Sequence, residues 1–216
     1  MGLAKELGRM AEQKRLELPV AFGNALFNGA EGKVFFSVSN GFLPLDYSSA
    51  DQQALLSALH RLVDIGKGLG DLPKVDAAVF EGDLKTLMDS EYAGRLLYTL
   101  AQITRYLTSV SNEVGRLGRA SCGPSMTYIK RQFEVHYVNI IQPYMGRINH
   151  SAYQVLPLLN QLTELSAPLS AEMSVFLNQF SLTKSGSEWL RYQQSSQSHA
   201  KNWSRLFELC AMSLKG

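Results

Sequence analysis

Cysteine is scarce in this chain: Cys122 and Cys210 are the only two among 216 residues. A small domain held together by several disulfides is therefore excluded, and we interpret Cys122 as an unpaired cysteine in a Gly-Pro turn. The first residues contain no apolar stretch followed by a cleavage site. These features favour a reducing, intracellular setting, and we expect a cytoplasmic protein that is not secreted.

Charged residues are also few, at 19% of the chain, whereas 45% of the residues are hydrophobic. The formal net charge of +2 does not by itself favour nucleic acid as a partner. No uncharged apolar run reaches the roughly 18 residues that a membrane-spanning helix needs, so we expect no membrane span. A globular protein with a sizeable core fits these totals, and its low charge is one reason to consider partner proteins that cover part of its surface.

Motifs that carry chemistry are missing as well. The four histidines are scattered and show no HExxH or Cys/His ligand spacing, so we predict no metal site. The stretch Gly66–Gly70 follows a predicted helix and lacks the GK[ST] ending of a phosphate-binding loop, which indicates a helix cap and a loop. No GxSxG motif occurs. We therefore expect no catalytic residues, no cofactor and no enzymatic activity.

Helical periodicity dominates the chain from Ser48 onward. Apolar residues recur at spacings of three and four, and Gly and Pro separate the apolar runs. In 90–118 they form one stripe that we expect to face the core: Tyr92, Leu96, Leu100, Ile103, Leu107, Val110, Val114 and Leu117. The pattern predicts helices over 48–66, part of 73–89, 90–118, a segment interrupted at Pro143, 151–166, 169–182 and 187–214. We predict a mainly α fold, a bundle of six to eight helices.

The N-terminal part of the chain has a different pattern. Residues 3–17 predict a short amphipathic helix that ends before Pro19. Residues 19–45 combine Gly and Asn with two apolar runs, of which Val34–Ser39 is β-branched and aromatic. We predict a small β-hairpin or an extended arm there. The chain is accordingly divided into an N-terminal part, 1–47, and a helical bundle, 48–216.

The segment Tyr128–His150 shows two apolar faces. One face carries a regular core stripe that begins at Met126. The opposite face carries four residues at helical spacing: Tyr128, Arg131, Val135 and Val138. Such a helix is either central in the bundle or covered by another molecule, and Tyr and Arg are enriched at the centres of protein interfaces. We keep three interpretations of this face: a central helix, a protein interface and a nucleic-acid contact.

Both tryptophans, Trp189 and Trp203, lie on one stripe of the predicted C-terminal helix. The middle of this stripe is small or polar and includes Ser196 and Ala200, which would let another helix approach closely. Core packing is the favoured interpretation of the tryptophans, and anchoring a partner protein is the alternative. We therefore include both among the candidate interface residues.

Basic residues are concentrated between positions 92 and 150, where only Glu113 and Glu134 are acidic. Six of them are candidates for contacts with nucleic acid: Arg95, Arg105, Arg116, Arg119, Lys130 and Arg131. Spaced along a helix, such residues could contact phosphates. The same spacing is typical of the solvated face of an amphipathic helix.

Three functions fit these observations. The first, which we expect, is a non-catalytic subunit of a homo- or hetero-oligomeric assembly whose partners are other protein subunits. The second is a helical nucleic-acid-binding protein of the nucleocapsid or coat type. The third is a carrier of an apolar ligand, in a cavity walled by residues 151–182, which contain two acids and no Lys or Arg.

Overall fold

The computed structural model describes residues 2–47, 49–71 and 75–213. Within them the chain forms nine α-helices: α1 (Gly2–Gly23), α2 (Ala30–Phe35), α3 (Ser49–Gly68), α4 (Ala77–Ser90), α5 (Tyr92–Arg116), α6 (Pro124–Gln132), α7 (Gln142–Leu165), α8 (Ala171–Leu177) and α9 (Glu188–Leu209). Two segments are π-helical: Asn24–Asn28 and Phe133–Ile141. Four short 3₁₀ turns complete the structure: Val38–Asn40, Leu69–Asp71, Arg119–Ser121 and Asn178–Phe180.

The mainly α, multi-helix fold predicted from the sequence is confirmed. Seven of the helices have nine or more residues, which agrees with the predicted six to eight, and only α2 and α8 are shorter. Side-chain caps explain several helix starts. Asp76 accepts hydrogen bonds from the backbone at the start of α4, and Ser187 does so at the start of α9.

The predicted β-hairpin or extended arm over 19–45 is wrong, because this region is helical and no strand occurs among the described residues. The helix α1 also continues through Pro19 instead of ending before it. In the run Val34–Ser39, Phe35 and Phe36 are both buried, one at the end of α2 and one just after it. Periodicity alone does not distinguish a strand from a helix in so short an apolar run.

One main hydrophobic core joins the helices α3, α4, α5, α7 and α9. Phe22, Phe27 and Phe35 from the N-terminal region belong to this same core. The division into 1–47 and 48–216 stays a prediction, although both parts share this core. A second, smaller cluster of buried side chains lies between α5, α6 and α9.

The cysteines are paired, so the interpretation of Cys122 as an unpaired thiol is wrong. A disulfide joins Cys122 to Cys210 across a sequence separation of 88, with their Cα atoms 5.2 Å apart. Disulfides persist in oxidising compartments, so this bond removes the main reason for expecting a reducing, intracellular setting. The compartment stays a prediction. No helix in the described part of the chain is both long enough and apolar enough to cross a bilayer.

Candidate ligand-binding groove

A groove of about 420 Å³ lies between α5, α9 and the π-helical segment Phe133–Ile141. No charged side chain lines it, and six of its eleven lining residues are Phe, Tyr or Trp. The lining residues are Phe42, Ile103, Tyr106, Leu107, Val110, Phe133, Tyr137, Ile141, Tyr144, His199 and Trp203. Small-molecule sites have volumes of about 300–1,000 Å³, so the groove has the size of such a site.

The helix α5 forms one wall of the groove. Its apolar stripe was predicted to face the core, and Leu96 and Leu100 do so. Ile103 and Val110 belong to the same stripe but remain partly accessible, because they line the groove. One amphipathic face of α5 therefore contributes to the core at its N-terminal half and to the groove further along.

The π-helical segment forms the opposite wall with Phe133, Tyr137 and Ile141, which follow one another at intervals of four. Pro143 lies just beyond the segment and has no backbone N–H. Its ring also clashes with a carbonyl four residues earlier in a regular α-helix, so the wider π turns ahead of it have a physical cause. Partial burial in the wall raises the pKa of the Tyr137 phenol.

Phe42 borders one end of the groove and is held there by the segment around it. The Leu43 amide donates to Oγ1 of Thr99 on α5 at 2.9 Å, and the Tyr144 hydroxyl donates to the Leu43 carbonyl at 2.7 Å. Arg95 donates to the Phe42 carbonyl at 2.9 Å. These bonds tie the loop to α5 and α7, and they place a residue that is distant in sequence next to the groove.

His199 and Trp203 form the floor, one turn apart on α9. They are 3% and 8% exposed, and they line the groove with the carbon atoms of their rings. Neither ring nitrogen of His199, nor Nε1 of Trp203, has a hydrogen-bond partner among the described residues. A buried polar group without a partner costs about 1–3 kcal/mol, so the floor is a locally unfavourable arrangement.

Its buried position favours the neutral form of the His199 ring. Burial lowers its pKa below the ordinary value, and the nearby Leu107 carbonyl opposes this shift only in part, since it lies outside ordinary hydrogen-bond geometry. Within the described residues, no three His, Cys, Asp or Glu side chains are grouped closely enough to hold a metal ion.

Aromatic contacts join the wall to the floor. The ring centroids of Phe133 and Trp203 are 4.6 Å apart, and those of Tyr137 and His199 are 4.7 Å apart. Phe133 and Tyr137 also stack on each other at 4.9 Å. Such pairs stabilise a packed arrangement by about 0.5–1.5 kcal/mol each, so they order the floor and the wall together.

The four candidate interface residues of the segment 128–150 lie on the surface. Tyr128 is 66% exposed, Arg131 and Val135 are exposed, and Val138 is half-buried. The interpretation of this segment as a central helix therefore does not hold, because the chain does not cover this face. An interface with another molecule stays a prediction.

The face of α9 that packs inward follows the predicted stripe at both ends, but its middle is shifted by one residue. Trp189 and Trp203 are 2% and 8% exposed, so these two candidate anchors lie inside the chain and not on a surface open to a partner. Between them His199 is buried, whereas Ala200, which we expected on the stripe, is exposed. His199 lies four residues before Trp203, which is one helical turn along the same face of α9. This spacing could have predicted that His199 is buried beside Trp203.

Most of the basic residues predicted to contact nucleic acid are engaged within the chain. Four of them contact nearby side chains: Arg95 with Glu91, Arg105 with Tyr106, Arg116 with Glu113 and Lys130 with Glu134. Arg119 lies beyond the end of α5, and Arg131 is on α6. Nucleic-acid binding stays a prediction, and the three pairs with glutamate reduce the free positive charge that phosphates would meet.

Residues 151–182, predicted to wall an apolar cavity, contribute none of the residues that line the groove. Many side chains of α7 in this range, including Val155, Leu156 and Leu159, are buried in the main core. An apolar site is present in the structure, but it is built from other segments.

Comparison with protein families places this chain in one of them. Residues 1–214 match the family described as "Protein of unknown function (DUF3080)", and the chain belongs to this family. No curated protein and no solved structure matches the chain.

Proposed function

We propose that this member of the DUF3080 family binds a small, uncharged, apolar ligand in the groove. The observation that carries this proposal is the lining, which has no charged side chain and is rich in aromatic rings. Covering apolar surface is favourable by about 25 cal/mol for each Å² removed from water. A ligand that covers these rings would therefore stabilise the complex without any specific polar contact, and the role is binding and not catalysis.

The chemistry of the groove selects against charged ligands. An ion that entered it would lose hydration and would meet no residue of opposite charge. Its size favours a small molecule: a volume of about 420 Å³ corresponds to about fourteen waters at the roughly 30 Å³ that each occupies in the liquid. The buried rings of Tyr144, His199 and Trp203 close the floor, so the ligand would enter and leave from the solvent side.

Binding can be tested with N-phenyl-1-naphthylamine, a neutral fluorescent probe of apolar sites. Val110, 41% exposed in the groove, is changed to Glu to place a carboxylate in the site. Val79, 46% exposed on α4 outside the groove, gives the matched control Val79→Glu. We expect Val110→Glu to weaken probe binding about tenfold or more, equivalent to about 1.4 kcal/mol, and Val79→Glu to leave it unchanged. Equal effects of the two substitutions, or no binding to the wild type, would contradict the proposal.

Contact with another protein subunit, the function expected from the sequence, is a second candidate. The specific observation in its favour is the surface position of Tyr128, Val135 and Arg131 on α6 and the π-helical segment. Apolar side chains beside an arginine on an exposed helical face are typical of interface centres. This face and the groove belong to the same stretch of chain but do not share residues.

The oligomeric state tests this second candidate. Light scattering of the purified chain, and analysis of proteins that purify with it, would show an assembly larger than one chain. We expect Tyr128→Ala with Val135→Ser to dissociate it, whereas Val175→Ser, at an exposed position on α8, would not. A single monomeric species without any purifying partner would remove this candidate.

A further inference from the structure

The π-helical wall of the groove is continuous with α6, whose own residues do not line the groove. The two together, residues 124–141, are called the wall from here on and have very few buried residues. Among the nine residues of α6 and the nine of the π-helical segment, only Met126 is buried. The side-chain hydrogen bonds and the ion pair of this stretch join residues within it, as far as the described residues show. The burial of Met126 and the ring contacts of Phe133 and Tyr137 are therefore the main attachments of the wall to the rest of the molecule.

Met126 belongs to the smaller of the two hydrophobic clusters. Its buried members are Val114, Met126, Trp203, Leu206 and Phe207. The main core is built from other residues: no side chain of α6 belongs to it, and the half-buried Tyr137 of the π-helical segment packs against it from outside. Loss of the small cluster would therefore detach α6 and Phe133 from α5 and α9 and leave the main core in place.

The disulfide lies where this weakly held wall begins. Cys122 is two residues before α6, and Cys210 directly follows α9. The bond therefore holds the N-terminal end of the wall beside the helix that carries His199 and Trp203. At its other end the wall continues directly into α7. Both cysteines are half-buried, so a small reductant can reach the bond from solvent.

We propose that the Cys122–Cys210 bond is a redox latch: its reduction releases the groove wall, and with it the ligand, while the main core stays folded. The release of ligand rests on the proposed function, whereas the release of the wall does not. A dithiol reductant supplies two electrons and two protons, the S–S bond breaks, both cysteines become thiols, and the reductant leaves as a disulfide. A disulfide oxidant reverses each of these changes and restores the wall.

Hydrogen exchange measured by mass spectrometry on the full chain tests the latch without any ligand. We expect reduction with dithiothreitol to speed exchange in residues 124–141 by about tenfold or more, because this stretch then opens locally. The segments of α3 and α7 in the main core should keep their protection. The Cys122→Ser/Cys210→Ser variant should exchange rapidly in 124–141 at the start and should not respond to dithiothreitol.

Binding of N-phenyl-1-naphthylamine is measured on the same samples. We expect reduction to weaken it about tenfold, equivalent to about 1.4 kcal/mol, and reoxidation to restore it. Unchanged exchange in 124–141 after reduction, or loss of protection throughout the chain, would overturn the latch. If the wall is released but the oxidised protein binds no probe, the latch stands and the proposed ligand site fails. If the wall is released and the affinity does not change, the bond does not control the ligand.

Discussion

Gly94 on α5 lies directly against the backbone of Ser37, so closely that a β-carbon at position 94 would overlap the Ser37 carbonyl. The absence of a side chain lets the turn after α2 pack on the first turn of α5. This turn leads into the loop that carries Phe42 to the groove, so one glycine determines how near that loop approaches α5.

Replacing Gly94 by Ala should therefore lower the free energy of unfolding by about 2 kcal/mol or more, because backbone atoms have to move apart. Gly82 on α4 is the matched control, since a β-carbon there would meet no atom within 4 Å. Gly82→Ala should raise stability by about 0.5–1 kcal/mol, because alanine loses less conformational freedom in a helix. Urea denaturation of the three proteins measures both effects. Equal stability of the two variants would show that the turn at Ser37 is not in close contact with Gly94 on α5.

The ion pair between Arg61 on α3 and Asp83 on α4 contains the most buried carboxylate of any ion pair among the described residues. The Arg61 Nε lies 3.0 and 3.1 Å from the two oxygens of Asp83, whose side chain is buried. Arg61→Ala would leave that carboxylate without its partner. We expect the free energy of unfolding to fall by about 2 kcal/mol, which is less than the loss of a partner costs in a fully buried pair, because Arg61 is half-exposed. Lys85→Ala breaks the exposed pair with Asp89 and should change stability by less than about 0.5 kcal/mol. The denaturation midpoints of the two variants show whether losing the partner of a buried carboxylate lowers stability more than losing the partner of an exposed one.

Thr99 and Thr104, both on α5, offer a second matched pair. Thr99→Val removes the acceptor of the buried Leu43 amide and should cost about 1–3 kcal/mol. Thr104 has a buried hydroxyl without a partner among the described residues, so Thr104→Val should be neutral or stabilising. Thermal and urea denaturation would measure the difference. A larger loss for Thr104→Val than for Thr99→Val would contradict the role given to the loop around Phe42.

Stability should fall as the pH is lowered from 7 toward 5. Burial depresses the pKa of folded His199, whereas an unfolded histidine titrates near about 6.5, so the unfolded state binds more protons below that pH. The loss is at most about 1.4 kcal/mol for each pH unit. His199→Phe removes the titrating ring and should flatten the curve in this range. If the free energy of unfolding of the variant falls with pH as steeply as that of the wild type, His199 is not the cause of the pH dependence.

The helical fold could be predicted because amphipathic periodicity reports burial within a single helix. Leu96 and Leu100 on α5 illustrate this, since their spacing alone placed them in the core. The short run at Val34–Ser39 could not be assigned correctly, because its aromatic residues are buried by contacts with distant helices and not by a local pattern.

The groove could not be predicted because its parts are remote from one another in sequence. Phe42, Phe133 and His199 are brought together by a loop, a π-helical segment and the C-terminal helix. The sequence pattern of any one segment does not show that these three residues are close together in the fold. The disulfide was missed for the same reason, since 88 positions separate its cysteines and their proximity is a property of the tertiary structure.

The π-helical segment has a consequence for how this chain tolerates changes in length. A π turn closes an i→i+5 hydrogen bond where an α turn closes an i→i+4 bond, so it holds an extra residue without turning the helix faces on either side of it. Deleting one residue between 133 and 141 should therefore let the backbone rewind as an ordinary α-helix and leave the flanking helices α6 and α7 facing as before. A deletion within α5, which is α-helical over its whole length, would instead turn one part of that helix by about 100° relative to the other.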